Sequence, residues 1–171
     1  MACVLRRSAL LLTMALLALV QTGCAQPAYP PAGFERVKLD DRTYMLEIVA
    51  DNESRTKGLG GRTHLDEDKG MLFVFPDSKV RHFVMRDCFF DIDIIYLDAD
   101  ARIVAMHQMK VEPPRGEDES DFVYNNRLKR YSSRFDSQFV IELAGGQLDH
   151  LDLEEGQAVK LDVKRLRSLA K

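Results

Sequence analysis

The sequence has too little cysteine for a fold held together by disulfides. It contains three cysteines in 171 residues, and two of them, Cys3 and Cys24, lie inside or at the end of an N-terminal apolar segment. Cys88 is then the one ordinary cysteine of the folded part, which excludes an internal disulfide. It stands among three phenylalanines, and free cysteine in apolar surroundings is commonly buried. We therefore expect Cys88 to be buried and unreactive.

An excess of positive charge is also missing. Lysine and arginine total 24, against 27 for aspartate and glutamate. Residues 1–23 carry two arginines and no acid, so the remainder has 22 basic and 27 acidic residues, a net charge of −5. Nucleic-acid-binding domains are usually basic, so nucleic acid is not an expected partner. The sequence likewise has no pattern that requires a cofactor.

No apolar run is long enough to span a membrane permanently. An uncharged apolar run of 12 residues, Ala9 to Val20, follows Arg6 and Arg7, whereas a transmembrane helix needs roughly 20. Basic residues before a short apolar run are typical of a signal peptide. We therefore predict export to the periplasm or cell envelope, with residues 1–23 as the signal peptide.

The end of this signal peptide indicates a lipid anchor. Thr22-Gly23-Cys24 resembles the small residues and acylated cysteine of bacterial lipoproteins, which predicts lipidation at Cys24 and attachment to a membrane. Gln21 stands where lipoproteins usually have an aliphatic residue, and ordinary cleavage after Ala25 is the alternative. Residues 24–34 include three prolines and are predicted to form a stiff tether.

Short strand patterns dominate the rest of the sequence. Residues 42–50 alternate between apolar and polar positions, and the continuous apolar run 71–75 predicts a strand buried on both faces. We predict strands at 35–39, 42–50, 71–75, 80–85, 93–97, 102–109, 139–143 and 157–163, and short helices at 51–59 and 146–151. This pattern indicates a mainly β fold, a compact single-domain β-sandwich or barrel-like structure with one or two short helices.

One long polar segment interrupts this pattern. The domain is expected to cover residues 35–165, with residues 166–171 as a C-terminal tail, and residues 110–134 are predicted to form a loop that is long for a compact domain. The acidic and basic halves of this loop would neutralise each other. Alternatively, Arg130, Tyr131 and Arg134 project over the sheet and bind a small anion, because the planar arginine fork suits carboxylates and phosphates.

Several spaced motifs resemble a known family. The matching segments are Lys57-Gly58-Leu59, Arg62, Gly70 to Phe75, Phe83-Val84-Met85, Ile92-Asp93-Ile94, Glu142 to Gly145 and Gly156. Over roughly residues 36–163 the chain resembles the bacterial and archaeal family called domain of unknown function 192. The resemblance implies a compact β-rich fold with short helices and no established biochemical activity, and it names no catalytic residue. The chain departs from the family pattern at Gly60, usually methionine, and Val84, usually tryptophan.

Asp93 is the most conspicuous acid of the predicted strands. It begins the apolar segment 93–97, where a carboxylate is costly to bury without a partner. Either it accepts hydrogen bonds from a turn or pairs with Arg62 or Arg81, or it is a catalytic group. In the second case, an envelope hydrolase would use Asp93 with His82 or Asp91 for acid–base chemistry.

A copper-binding function is a further alternative. His107 and Met109 share a face of one predicted strand, and His82 and Met85 lie on another. Imidazole and thioether groups are ligands for copper(I), but a core role for these methionines is favoured, because four such ligands would have to converge from different strands.

We favour a binding module without catalytic activity over these alternatives. The predicted partners are a membrane, contacted through the lipid anchor, and a small anionic ligand or an envelope protein. No residue is assigned a catalytic or metal-binding role. The candidate ligand-binding residues are Arg62, Met85, Asp87, Asp93, Arg130, Tyr131 and Arg134.

Overall fold

The computed structural model describes residues 30–171. The predicted signal peptide, Cys24 and most of the predicted tether lie outside these residues. In chain order, the elements are β1 Phe34–Leu39, β2 Arg42–Val49, α1 Asn52–Lys57, β3 Lys69–Lys79, β4 His82–Phe83, β5 Ile92–Leu97, β6 Ile103–Met109, α2 Asp121–Arg127, β7 Tyr131–Ser132, β8 Ser137–Ala144, a 3₁₀ turn Leu148–His150 and α3 Val163–Leu169. None of these helices has the length and apolar character needed to cross a membrane.

A six-stranded mixed sheet, in the order β1-β2-β3-β8-β5-β6, organises the domain. All neighbouring strands run antiparallel except β2 and β3, which are parallel. A parallel pair needs a crossover connection, and here the connection contains α1. A second, two-stranded sheet pairs β4 with β7. The prediction of a mainly β single domain is confirmed.

Hydrophobic residues pack on both faces of the large sheet, so its central strands β3, β5 and β8 are buried on both sides. One cluster includes Leu46, Leu72, Ile141 and Leu166, and α3 contributes to it. We call this side the closed face. The other cluster includes Phe73, Tyr96 and Val140, together with residues of the segments after α1 and β4. We call this side the open face, because it carries the cleft described below.

The C-terminal region differs from the prediction. The strand predicted at 157–163 is replaced by a single bridge between Arg102 and Ala158, followed by α3. Asp162 caps this helix by accepting a hydrogen bond from the backbone N–H of Arg165. Leu166 is fully buried in the closed face, so the segment 166–171 is not a loose tail. The structure has three α-helices, more than the one or two expected.

Two other segments also depart from the prediction. The strand predicted at 80–85 is reduced to the two residues of β4. The segment 110–134 is not one continuous loop, because it contains α2 and β7. Ser120 begins α2 by accepting a hydrogen bond from the N–H of Val123, an N-cap arrangement typical of serine. The strand predicted at 71–75 is longer in the structure, Lys69–Lys79, and the remaining predicted strands match the observed ones to within about two residues.

Candidate functional site

The open face carries a cleft with a volume of about 340 Å³. This volume lies at the small end of the range for small-molecule pockets, about 300–1,000 Å³. The cleft is bounded by α1, the turn after it, β3, β4 and the segment that follows β4. Its lining residues are Asn52, Arg55, Thr56, Lys57, Gly58, Leu59, Gly60, Phe73, Phe75, His82, Phe83, Val84, Arg86, Cys88 and Glu142.

Three phenylalanines form the apolar wall of the cleft. Phe73 and Phe75 are two residues apart on β3, so the strand period places both on the open face. Phe83 meets the two rings edge to face, with centroid distances of 5.0 and 6.5 Å. Gly58 ends α1 with a φ of 50°, and a Cβ there would lie 3.4 Å from the Phe73 ring. The left-handed backbone at this position favours glycine, and it ends α1 beside the phenylalanine wall.

The rim of the cleft is basic. Arg55 donates to the carbonyl oxygen of Val74 at 2.7 Å and lies over the Phe75 ring, so its position is fixed. Lys57, His82 and Arg86 are exposed at the rim. Within residues 30–171, neither Lys57 nor Arg86 forms an ion pair. Because Glu142 is the one acid among the lining residues, the rim offers uncompensated positive charge to an anion.

Glu142 forms the floor of the cleft and is 95% buried, with 5% of its surface exposed. It pairs across the sheet with Met71 and Ile94, so its cross-strand neighbours are apolar. Its Oε2 atom is buried and has no hydrogen-bond partner among the described residues. Burial raises the pKa of this carboxyl to about 8, an effect that the charge of Arg62 opposes. At neutral pH Glu142 is therefore mainly the uncharged acid.

Cys88 lies beside Glu142 in the lining but is not an activated nucleophile. It is half-buried rather than buried as expected, and its thiol contacts the carbonyl oxygen of Arg86 at 3.4 Å. Burial and then the nearby charge of Glu142 raise the pKa of the Cys88 thiol to about 12. A thiol that stays protonated is a poor nucleophile and a poor metal ligand.

Asp93 does not belong to this site. Its Oδ2 accepts a hydrogen bond of 2.7 Å from the N–H of Leu148, the turn-binding role that was one of the two alternatives. Burial raises the pKa of Asp93, and the hydrogen bond from Leu148 lowers it by less. Its side chain points to the closed face, since its neighbour Ile94 packs on the open face. His82 lines the cleft on the open face, so an Asp93–His82 catalytic pair is excluded.

The other arginine and aspartate candidates have structural partners. Arg62 pairs with Glu47 at 2.6 Å. Asp91 pairs with Lys110 at 2.9 Å and accepts the N–H of Val111, so a catalytic role beside Asp93 loses its basis. Both carboxylates of the predicted hydrolase centre, Asp91 and Asp93, therefore have structural partners.

Met85 and Asp87 fix the position of the segment after β4, which borders the cleft. Met85 is buried in the hydrophobic cluster of the open face. Asp87 has a φ of 53°, and its Oδ1 accepts a hydrogen bond of 3.2 Å from the hydroxyl of Tyr124. The carbonyl of Asp87 also accepts the N–H of Gly61. These contacts fix the position of Arg86 without placing Met85 or Asp87 in the lining.

The three candidates after α2 do not converge on an anion site. Arg130 is exposed, whereas Tyr131 is buried against His107. Arg134 pairs with Glu155. Self-neutralisation is what the structure shows for the charged halves of this segment, since Glu119 binds Arg127 at 2.6 Å and Asp121 binds Arg115.

The residues of the copper alternative take part in core contacts. His107 donates from Nε2 to the carbonyl oxygen of Ser132 at 2.8 Å and lies between the rings of Tyr96 and Tyr131. Met85 and Met109 are each 1% exposed. Across residues 30–171, no three His, Cys, Asp or Glu side chains are grouped in a way that could hold a metal ion.

Glu142 is the functional candidate that sequence reasoning missed. It occurs inside the apolar segment 139–143, where it is the single charged residue. The signal was the same one that drew attention to Asp93, a carboxyl within a buried strand. The two positions differ in their surroundings, which the strand pattern alone does not reveal.

Comparisons with known proteins agree with this fold. The sequence profile of the DUF192 family, described as an uncharacterised ACR, matches residues 35–161. A search of curated proteins finds no match. A crystal structure of a proposed transcription regulator from Sinorhizobium meliloti is 26% identical, with a TM-score of 0.60 over 74% of this chain and 92% of the other. A protein of unknown function from Novosphingobium aromaticivorans is 23% identical, with a TM-score of 0.60 over 81% of this chain and 94% of the other.

Proposed function

The chain belongs to the DUF192 family, and from that premise we propose that it is a ligand-binding module whose open-face cleft takes a small organic anion with an apolar body. The single observation that carries this proposal is the composition of the cleft. Its wall is aromatic, its rim carries unpaired cations, and its floor is a buried acid with an unpartnered oxygen. Such a combination of an apolar surface and a few polar groups is typical of small-molecule sites.

The positive charge of the rim favours a ligand that carries negative charge. Lys57 and Arg86 are exposed cations without acidic partners in the described part of the chain, so a carboxylate, sulfonate or phosphate would replace water around them. The phenylalanine wall contacts the apolar body of the same molecule, and burial of apolar surface adds roughly 25 cal/mol per Å². The two ends of the site therefore favour an amphipathic anion.

The module is proposed to act outside the cytoplasm. The N-terminal sequence supports a signal peptide followed by lipidation at Cys24 and a short proline-containing tether. Metabolic labelling with a radioactive fatty acid tests this part of the proposal, since label should enter the wild-type protein and be lost in Cys24→Ala. Unchanged labelling of the variant, or none in the wild type, contradicts the lipid anchor.

The description of the Sinorhizobium meliloti protein as a transcription regulator does not lead us to propose DNA binding here. The mature chain would carry a net charge of −5, from 22 basic and 27 acidic residues. Phosphate backbones are bound chiefly by lysine and arginine clusters. The unpaired cations at the cleft are few and surround a space sized for a small molecule.

A matched pair of probes tests the choice of an anion. Binding of 4-isopropylbenzoate and of its neutral amide, 4-isopropylbenzamide, is measured by calorimetry at pH 6. We expect the acid to bind about tenfold more tightly, the effect of one charge-assisted contact. The double variant Lys57→Gln/Arg86→Gln should abolish this preference.

The control variant is Lys160→Gln/Lys164→Gln, which removes two exposed positive charges near or within α3. It changes the net charge about as much but lies away from the cleft lining. If both double variants weaken acid binding equally, long-range charge explains the effect and the cleft is not the site.

A further inference from the structure

Glu142 places a second requirement on the ligand. We propose that the ligand of the open-face cleft carries, at its inner end, an uncharged oxygen that accepts a hydrogen bond from the carboxyl group of Glu142. This inference rests on the proposed function and specifies its ligand class as a small organic acid that also bears a carbonyl, ester, ether or hydroxyl oxygen.

The unpartnered oxygen of Glu142 is the first observation behind this inference. Buried polar atoms in proteins are nearly always hydrogen-bonded, because a buried polar atom without a partner destabilises the fold. Oε2 of Glu142 is buried without a partner among the described residues, although Asp93, a buried carboxyl on the neighbouring strand β5, has one. An apolar side chain of similar volume would fill the same place without this cost. A ligand that enters the cleft can supply the missing partner.

The surroundings of Glu142 select an uncharged partner. The groups that face it are apolar or carry no charge of their own at neutral pH: Met71, Phe73, Phe83, Cys88, Ile94 and Tyr96. The charge of Arg62 lowers the pKa of Glu142 by less than burial raises it, and Arg62 is already paired with Glu47. The carboxyl therefore remains protonated and has one O–H to donate.

The rim argues against the opposite arrangement, a cationic ligand bound to an ionised Glu142. Lys57 and Arg86 stand at the entrance, and like charges repel a cation before it reaches the floor. An ionised Glu142 would also repel the anion that the rim attracts. A ligand with an anionic outer end and a neutral oxygen at its inner end satisfies both groups at once.

Two isosteric acids test this inference. 4-Acetylbenzoate and 4-isopropylbenzoate have the same charge and nearly the same shape, but only the first has an oxygen opposite its carboxylate. At pH 6 we expect the wild-type protein to bind 4-acetylbenzoate about tenfold more tightly, since the analogue leaves the buried donor unpaired. Calorimetry measures both affinities.

Variants of Glu142 separate a hydrogen bond from simple shape. Glu142→Met fills a similar volume without a donor, and it should bind both acids equally. Glu142→Gln keeps a donor that does not ionise, so it should retain the preference for 4-acetylbenzoate at both pH 6 and pH 9.5. The wild-type preference should disappear at pH 9.5. His82, Lys57 and Arg86 also line the cleft, so a pH effect that persists in Glu142→Gln does not come from Glu142.

The possible failures are distinguishable. If neither acid binds, the proposed function is contradicted and this inference with it. If both acids bind equally to the wild-type protein, or if Glu142→Met keeps the preference, this inference is contradicted. The cleft then still binds an organic acid, but Glu142 does not form a hydrogen bond with a neutral oxygen of the ligand. In that case a bound water satisfies the carboxyl.

Discussion

The two faces of the sheet each bury a carboxyl on a central strand, in opposite ways. On the closed face, Asp93 accepts a hydrogen bond from Leu148 and is surrounded by a core that α3 completes. On the open face, Glu142 lies under a cleft and has an oxygen without a partner. A buried acid with a partner stabilises a turn, whereas one without a partner in a cleft is available to a ligand. Burial alone does not distinguish the two roles.

The largest expected difference between the faces is the pH dependence that Glu142 gives to stability. Its pKa in the folded protein, about 8, lies above the ordinary value of 4.5. Between these values the folded protein binds more protons than the unfolded chain, so stability falls as pH rises from about 4.5 to about 8 and levels off above. Urea unfolding at several pH values should show Glu142→Gln becoming several kcal/mol more stable than wild type at high pH. Parallel pH profiles would contradict the assignment.

A second prediction concerns α3, the helix that packs on the closed face. Leu166 is fully buried there, and Leu166→Ala should lower the free energy of unfolding by about 3 kcal/mol because it leaves a cavity. Leu169→Ala, on the same helix but 38% exposed, is the matched control and should cost well under about 1 kcal/mol. Equal losses would show that α3 does not complete the core.

A smaller effect is expected from Asp93. Asp93→Ala removes the acceptor for the N–H of Leu148 and should cost about 2 kcal/mol in urea unfolding. Affinity for 4-isopropylbenzoate should stay within about twofold of wild type, because the side chain points away from the cleft. A loss of affinity for 4-isopropylbenzoate well beyond twofold would contradict the assignment of Asp93 to the closed face.

The strands that form the sheet were predictable because their side-chain period is short and regular. Tyr44, Leu46 and Ile48 follow the period of two and pack on one side, and the run 71–75 is buried on both. The same reasoning failed at residues 157–163, where alternating apolar residues do not form a strand. Val159 and Leu161 pack against the closed face from an irregular segment, and Asp162 then caps α3.

The candidate site was less predictable than the fold. Arg130 and Tyr131 are adjacent in sequence, yet β7 begins at Tyr131 and buries it while Arg130 stays in solvent. The cleft combines α1, β3, the segment after β4 and β8, which are brought together by pairings that no local pattern specifies. Gly60 and Val84 are two positions where the sequence departs from the family pattern, and both line the cleft. They are smaller than the methionine and tryptophan that are usual there, so they leave more space.

The pairing of β3 with β8 also sets when the cleft can form. Met71 lies opposite Glu142, which is far along the chain, and such distant pairings are slow steps of folding because a long loop must close first. The floor of the cleft is thus absent until the C-terminal half of the chain is in place. If the chain is exported unfolded, in line with the export proposed above, it carries no binding site during translocation and binds ligands only in the compartment where it folds.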